Sequence, residues 1–245
     1  LNMSEVITGR NAVLEALKSG REIDKITVVK GAEGSVKKIA AIAREKKIPL
    51  YYSEKNAFDR IAPGEHHQGV IAAVSDYVYC SIEDMIRKAE KKNEAPFLVI
   101  LDGIEDPHNL GAIMRTAECA GAHGVIIPKR RSVSVNDTVY KTSAGAVEYV
   151  MCARVTNLAR EIEALKKRGI WTAACDMDGS SVYESDLSGP VAVVVGGEGS
   201  GISRLVKEKC DFTVSIPMKG NLNSLNASNA AAITMYEIVR QRGIR

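Results

Sequence analysis

Residues Ile216-Pro-Met-Lys-Gly-Asn-Leu-Asn-Ser-Leu-Asn226 decide how the chain is read. They follow a short β-like run at 212–216 and precede a helical pattern that continues to about residue 242. Pro217 has no N–H to give a neighbouring strand and ends the run. Gly220 permits a turn that other residues resist. Asn221, Asn223, Ser224 and Asn226 then crowd the mouth of the helix, more short polar side chains than one N-cap uses. Two readings stand: a capped turn and no more, or a loop that wraps a ligand with its backbone while Ser224 and Asn226 order a reacting hydroxyl. Ala227, Ala230, Ala231 and Ala232 leave the helix thin on one side, so another element or subunit can pack closely.

Upstream, strong apolar runs recur at 97–101, 125–127, 147–151, 170–174 and 191–195, with helical patterns at 110–120, 137–143, 158–168 and 203–209 between them. This alternation predicts an α/β fold with a mostly parallel sheet covered by helices on both faces. Ligands of such sheets bind beyond the carboxyl ends of the strands, and the polar clusters fall there. One is Asp102-Gly-Ile-Glu-Asp-Pro-His-Asn-Leu-Gly-Ala-Ile-Met-Arg115. Asn109 is expected as a helix N-cap, with Leu110, Ile113, Met114 and Ala117 as the buried stripe. Arg115 lies off that stripe, six residues or roughly 9 Å further along. Asn109 and Arg115 therefore span a nucleotide-sized substrate or serve different sites in a dimer. A surface ion pair of Arg115 with Glu118 or Asp106 is the plainer alternative.

The other cluster is Gly196-Gly-Glu-Gly-Ser-Gly-Ile-Ser203. No register gives G-x-G-x-x-G, and Gly-Lys-Ser/Thr is missing, so neither a dinucleotide fingerprint nor a P-loop is present. Four glycines around Glu198 still imply close backbone approach. The carboxylate suits a cation, a hydroxyl or an arginine, and Ser203 reads as the cap of the next helix.

Residues 10–75 form a separate α/β pattern: helices at 11–17 and 35–47, strands at 25–29, 50–52 and 70–74. Lys37, Lys38, Arg44, Lys46 and Lys47 line one helix face, either solvated or in contact with phosphate oxygens. His66 and His67 are consecutive and would point to opposite faces of a strand. With no Cys or carboxylate at metal spacing, a loop role is expected and no metal site. A charged helix at 81–92, broken at Asn93-Glu-Ala-Pro96, reads as a linker. The expected division is 1–77, a linker at 78–95, and 96–245.

The net charge of +3 over 245 residues permits nucleic-acid binding without demanding it. No apolar run is long enough to span a membrane. Cys80, Cys119, Cys152, Cys175 and Cys210 are scattered without a C-x-x-C pair, so reduced thiols in a cytoplasmic protein are expected.

Residues 109–115, 196–201 with Glu198, and 216–226 resemble, in order and spacing, the three motifs of the SpoU (TrmH-like) RNA ribose 2′-O-methyltransferases of the SPOUT class. Gly9-Arg-Asn-Ala-Val13 and His67-Gln-Gly-Val70 resemble the L30e-like RNA-binding domain of the branch acting on 23S ribosomal RNA guanosine. The resemblance implies a deep trefoil knot and S-adenosylmethionine held by Gly196, Ile216 and Leu225, with Met218 close by. It also implies a homodimer with sites at the subunit interface, and functional roles for Asn109, Arg115, Glu198, Ser224 and Asn226. Ribosomal RNA is the expected substrate, selected mainly by the first domain; transfer RNA, or RNA binding without catalysis, are the alternatives. Lys129, Arg130 and Arg131 are expected to add phosphate contacts. Asn229 stands where many relatives carry an apolar residue.

Overall fold

The computed structural model describes residues 6–243 except 20–21, 32–33, 65 and 75–76, and the chain divides into two units at Val78/Tyr79. The first carries β1 (Val6–Thr8), α1 (Arg10–Ser19), β2 (Ile23–Val29), α2 (Ser35–Glu45), β3 (Leu50–Ser53), α3 (Lys55–Ile61) and β4 (Val70–Val74). Its sheet has the order β1-β4-β2-β3, with β2 and β3 parallel and both β4 pairings antiparallel. Alternation along β4 sorts its side chains. Val70, Ala72 and Val74 pack with Val13, Leu17 and Ile39, while Ile71 meets Phe58 and Ala62 on the other face. Strand β1 and helix α3 go beyond the sequence reading, because elements of 3 and 7 residues carry little periodic signal.

On α2, Arg44 bonds the Tyr52 hydroxyl and Lys46 bonds the Leu17 carbonyl. Lys37, Lys38 and Lys47 are exposed. His67 packs on the Phe58 ring at 5.0 Å, lies 3.4 Å from Asp59 and accepts the Gly69 N–H at Nδ1. Among the described residues, no group of three or more His, Cys, Asp or Glu is placed to hold a metal ion.

The second unit carries α4 (Ile82–Lys92), β5 (Phe97–Asp102), α5 (Pro107–Cys119), β6 (Gly124–Pro128), α6 (Asp137–Thr142), β7 (Cys152–Val155), α7 (Leu158–Lys167), β8 (Trp171–Ser181), β9 (Val191–Gly196), α8 (Arg204–Lys209), β10 (Phe212–Ser215) and α9 (Ala227–Arg242). The strands form one parallel sheet in the order β10-β8-β9-β5-β6-β7. Strand β5 is buried through Leu101 and β9 through Val195, as continuous apolar runs require when both faces are covered. From the edge strand β10 the chain returns through α9, which packs on α5 and β9 in the middle of the sheet. Ala227 and Ala231 lie on its buried side. Among the described residues, no helix is long and apolar enough to cross a membrane.

Three expectations change. The run at 147–151 is a 3-10 turn, Ala146–Glu148, and the strand begins only at Cys152. Gly145, at φ 84°, turns the chain while Val147 and Val150 stay buried, so a short apolar run alone does not separate a strand from a buried turn.

The segment 78–95, expected as a linker, contains α4, and α4 is part of the second unit's core. Ser81 and Asp84 close a reciprocal capping box at its start. Met85 and Ile86 pack with Leu98, Ile126 and Val194, and burying each is worth roughly 1.5–3 kcal/mol. Gly124 makes room for Met85: a Cβ there would lie 2.3 Å from its sulfur.

Strand β8 runs past the expected end at 174. Ala174 pairs with Thr213 but Ser180 pairs with Val214, so residues 175–179 swing out of the β10 register.

Candidate active site

Strand β5 ends at Asp102, and the chain turns at Gly103 (φ 82°) into α5. The N-cap of α5 is Asp106, whose Oδ1 accepts the His108 N–H at 2.9 Å. Asn109, expected as the cap, is instead buried in the first turn. Pro107 explains the shift: the first helical position tolerates a residue without an N–H.

The displaced Asn109 bonds across the fold. Its Nδ2 donates to Glu198 Oε1 at 3.0 Å, and its Oδ1 accepts from Asn226 Nδ2 at 3.0 Å. Asn226 Nδ2 also donates to the same Glu198 oxygen. The Asn226 Oδ1 caps α9, accepting from the Ser228 N–H at 2.9 Å. One residue from each of three loops thus closes a triangle. An ionised Glu198 only accepts, which fixes the orientation of both amides, and charge assistance strengthens both bonds. Among the described residues, the structure pairs Glu198 with two amides and no arginine.

The glycine loop approaches backbone. A Cβ on Gly197 would lie 2.0 Å from the Gly103 oxygen, and one on Gly196 would lie 2.2 Å from the Gly201 carbonyl carbon. The Gly197 N–H donates to the Asp102 carbonyl at 2.8 Å. Ser203 sits at the cap position of α8 without capping it; its N–H and Oγ donate to Asp102 Oδ2 at 2.8 and 2.6 Å. Asp102 therefore locks the glycine loop to β5. This role was not legible in sequence, where Asp102 is one carboxylate among several at a strand end.

Beside the triangle opens a cavity of about 830 Å³. Gly196, Glu198, Ile216, Met218, Ser224, Leu225 and Asn226 all line it. So do Cys175, Asp176 and Met177, which no sequence motif singles out. Among the described residues, 216–225 make no backbone hydrogen bonds, leaving their N–H and C=O groups for ligand or solvent. The Cys175 thiol donates to Thr234 Oγ1 at 3.7 Å, and burial pushes it up to about 11, so it stays neutral at physiological pH.

Two sets of expected residues lie elsewhere. Arg115 is exposed on α5 and does not line the cavity. Among the described residues it also makes no ion pair with Glu118 or Asp106. Lys129, Arg130 and Arg131 follow β6, the neighbour of β5. Lys129 lines a different concavity of about 470 Å³ with Arg154 and Arg168, and none of the three basic residues lines the first cavity.

Fold and site together define a parallel α/β enzyme domain with its ligand cavity beyond the strand ends, preceded in the chain by a smaller α/β unit. Residues 96–236 match the SpoU rRNA Methylase family, and residues 6–80 match the family described as RNA 2'-O ribose methyltransferase substrate binding. YacO of Bacillus subtilis (strain 168), assigned to the TrmH family of tRNA/rRNA methyltransferases, is 46% identical over 97% of this chain and 96% of its own. The chain belongs to the SpoU family and is an RNA methyltransferase.

Solved structures share the fold. The SpoU methyltransferase AviRb from Streptomyces viridochromogenes, solved with AdoMet, has a TM-score of 0.61 at 24% identity and covers 97% of this chain and 90% of its own. The A. aeolicus TrmH/SpoU tRNA modifying enzyme has a TM-score of 0.57 at 26% identity, over 64% of this chain and 84% of its own.

Proposed function

We propose that this chain methylates a ribose 2′-hydroxyl of ribosomal RNA, on a guanosine of 23S rRNA, as a cytoplasmic homodimer. The observation that carries the reading is the Asn109–Glu198–Asn226 triangle, which ties three loops together at the edge of one ligand-sized cavity. Its volume lies within the range of small-molecule sites. The apolar wall at Val195, Val214, Ile216 and Leu225, the close-set Gly196, and the unpaired backbone of 216–225 suit S-adenosylmethionine. When bound, that donor supplies a methyl made electrophilic by a sulfonium, so the transfer itself requires no metal.

The chain's residues then have distinct tasks. The triangle sets the loops in place before substrate arrives, so the ordering cost is met on folding. Ser224 and Asn226 position the ribose at the cavity mouth. Arg115 binds the neighbouring phosphate in bidentate fashion. A guanidinium holds its proton at neutral pH, so Arg115 accepts the hydroxyl proton only if desolvation beside the nucleotide first removes its own.

Arg115 lies roughly 9 Å along α5 from Asn109 and outside its own cavity. This supports a shared site, in which Arg115 of one protomer completes the cavity of its partner. The trefoil knot belongs to the same reading, supported by the return of α9 from edge strand β10 to the middle of the sheet.

The first unit favours ribosomal over transfer RNA. The A. aeolicus tRNA modifying enzyme aligns with 64% of this chain, whereas the substrate-binding match occupies residues 6–80. Proteins select RNA mainly through loops, bulges and 2′-hydroxyls, and a second unit enlarges the surface that can read them. Lys129, Arg130 and Arg131 add phosphate contacts.

The test is methyl transfer from labelled S-adenosylmethionine to 23S rRNA fragments and to tRNA, followed by mass mapping of the product. Label on a ribose of the rRNA is expected. Label confined to tRNA overturns the substrate assignment, and label on a base overturns the reaction.

A further inference from the structure

Lys207, on α8, bridges the two carboxylates of the segment that leaves the β8 register. Its Nζ donates to Asp176 Oδ2 at 2.8 Å and to Asp178 Oδ1 and Oδ2 at 2.7 and 2.8 Å. Apart from Lys207, its side-chain ties are at its two ends: the Cys175 thiol donates to Thr234 Oγ1, and Ser215 Oγ donates to the Gly179 carbonyl at 2.8 Å. Ala174 and Ser180 flank it as partners of Thr213 and Val214, and residues 175–179 have no register partner on β10. Its last pairing to β9 is Cys175 with Val195. The other Asp176 oxygen accepts from the Met177 N–H at 2.7 Å, within the loop. Gly179 rests on the Thr213–Val214 peptide, where a Cβ would lie 2.5 Å from the Thr213 carbonyl carbon.

The loop is also a wall. Cys175, Asp176 and Met177 line the same cavity as Gly196 and Ile216. Helix α8 follows its cap position Ser203, which is tied to Asp102 and comes shortly after the glycine loop that bears Glu198. This one short helix therefore braces two cavity walls: the glycine loop through Ser203, and the 175–179 loop through Lys207.

We propose that Lys207 is a positioning residue for the methyl-donor site, holding the Cys175–Asp176–Met177 wall in its binding shape before the donor enters. The proposal rests on reading this cavity as the donor site. The three charged groups are partly exposed, so solvent screens their contribution to global stability. Their effect is on pre-organisation, which lowers the cost of ordering a loop upon binding. An ammonium held by two carboxylates keeps its charge; both raise the Lys207 pKa.

The test compares wild-type protein with Lys207→Met and Lys207→Arg in S-adenosylmethionine titration calorimetry, hydrogen exchange of the ligand-free proteins, and methyl transfer. Lys207→Met is expected to weaken donor binding about tenfold, raising KM for the donor while kcat at saturation stays within about twofold. In the ligand-free protein, amides at 175–179 should exchange faster while those of β5 and β9 do not. Lys207→Arg should restore both. Wild-type affinity in Lys207→Met overturns the latch, as does a general loss of exchange protection, which would make Lys207 a stability residue. Wild-type protein that does not bind S-adenosylmethionine overturns the donor-site reading and the latch with it.

Discussion

Asn226 and Asn109, 117 positions apart in the chain, are joined by one hydrogen bond of 3.0 Å. Both amides also donate to a single oxygen of Glu198. Every donor in this set faces an acceptor, so changing one atom from donor to acceptor should disrupt all three loops.

Asn109→Asp makes that change. It places a second carboxylate against Glu198, and two carboxylates at hydrogen-bond distance force one to take up a proton. At about pH 8 methyl transfer should fall about 100-fold. The deficit should narrow as pH drops and the new carboxyl becomes a donor. Asn109→Ala, with no proton to gain, should show a deficit that does not vary with pH. Equal pH profiles for the two variants would refute the triangle's role.

Gly197→Ala inserts a methyl 2.0 Å from the Gly103 oxygen. Overpacking of this kind costs about 1–3 kcal/mol. Because the clash separates Asp102 from the loop bearing Glu198, donor affinity should fall along with the unfolding midpoint. Denaturant melts and calorimetry on one preparation test the coupling; a destabilised protein with wild-type affinity speaks against it.

If Arg115 acts on charge in the reacting RNA, as proposed above, Arg115→Ala should lower methyl transfer about 100- to 1,000-fold while leaving donor affinity intact. Arg115→Lys should not restore the rate, since an ammonium lacks the bidentate fork. Mixing inactive Arg115→Ala subunits with inactive Asn226→Ala subunits should recover about a quarter of the wild-type sites if each site draws on both protomers of a two-fold dimer. No recovery on mixing would place Arg115 and Asn226 in one subunit's site.

His123 should make stability depend on pH. It is buried, its Nδ1 accepts the Phe97 N–H and its Nε2 lies 3.0 Å from Glu94. Burial lowers its pKa below the ordinary 6.5, outweighing the opposing pull of Glu94. Below 6.5 the unfolded chain then binds more protons than the folded one. The stability contribution is fully present above 6.5 and is lost as pH falls towards the folded pKa. Urea midpoints across about pH 5–8 should show this slope in wild type and a shallower one in His123→Gln.

Replacing Lys129, Arg130 and Arg131 with alanine should reduce the salt dependence of RNA binding. Each phosphate contact contributes about 0.7–0.9 to the slope of log K against log salt, so losing three should flatten it by about 2. An unchanged slope would remove this loop from the RNA path.

Much of the second unit was legible because its strands are apolar throughout, as in β5 and β9, and because polar clusters fall where such strands end. What was hidden followed local chemistry to the wrong conclusion. A short polar residue before Leu110 suggests a cap, yet Pro107 starts the helix earlier and leaves Asn109 to bond Glu198. The charged outer face of α4 concealed Met85 and Ile86 on its inner face. Cys175, Asp176 and Met177 reach the cavity only through a break in strand register, and register depends on the neighbouring strand. Asp102 and Ser203 meet across 101 positions, a distance that no local pattern spans.

The triangle also bears on synthesis. Residues 109 and 198 leave the ribosome well before 226, so a growing chain holds two corners without the third. On the proposed reading of the cavity, a chain that stops before residue 226 would lack both the third corner and the 216–226 wall, and so would have no means to hold the methyl donor.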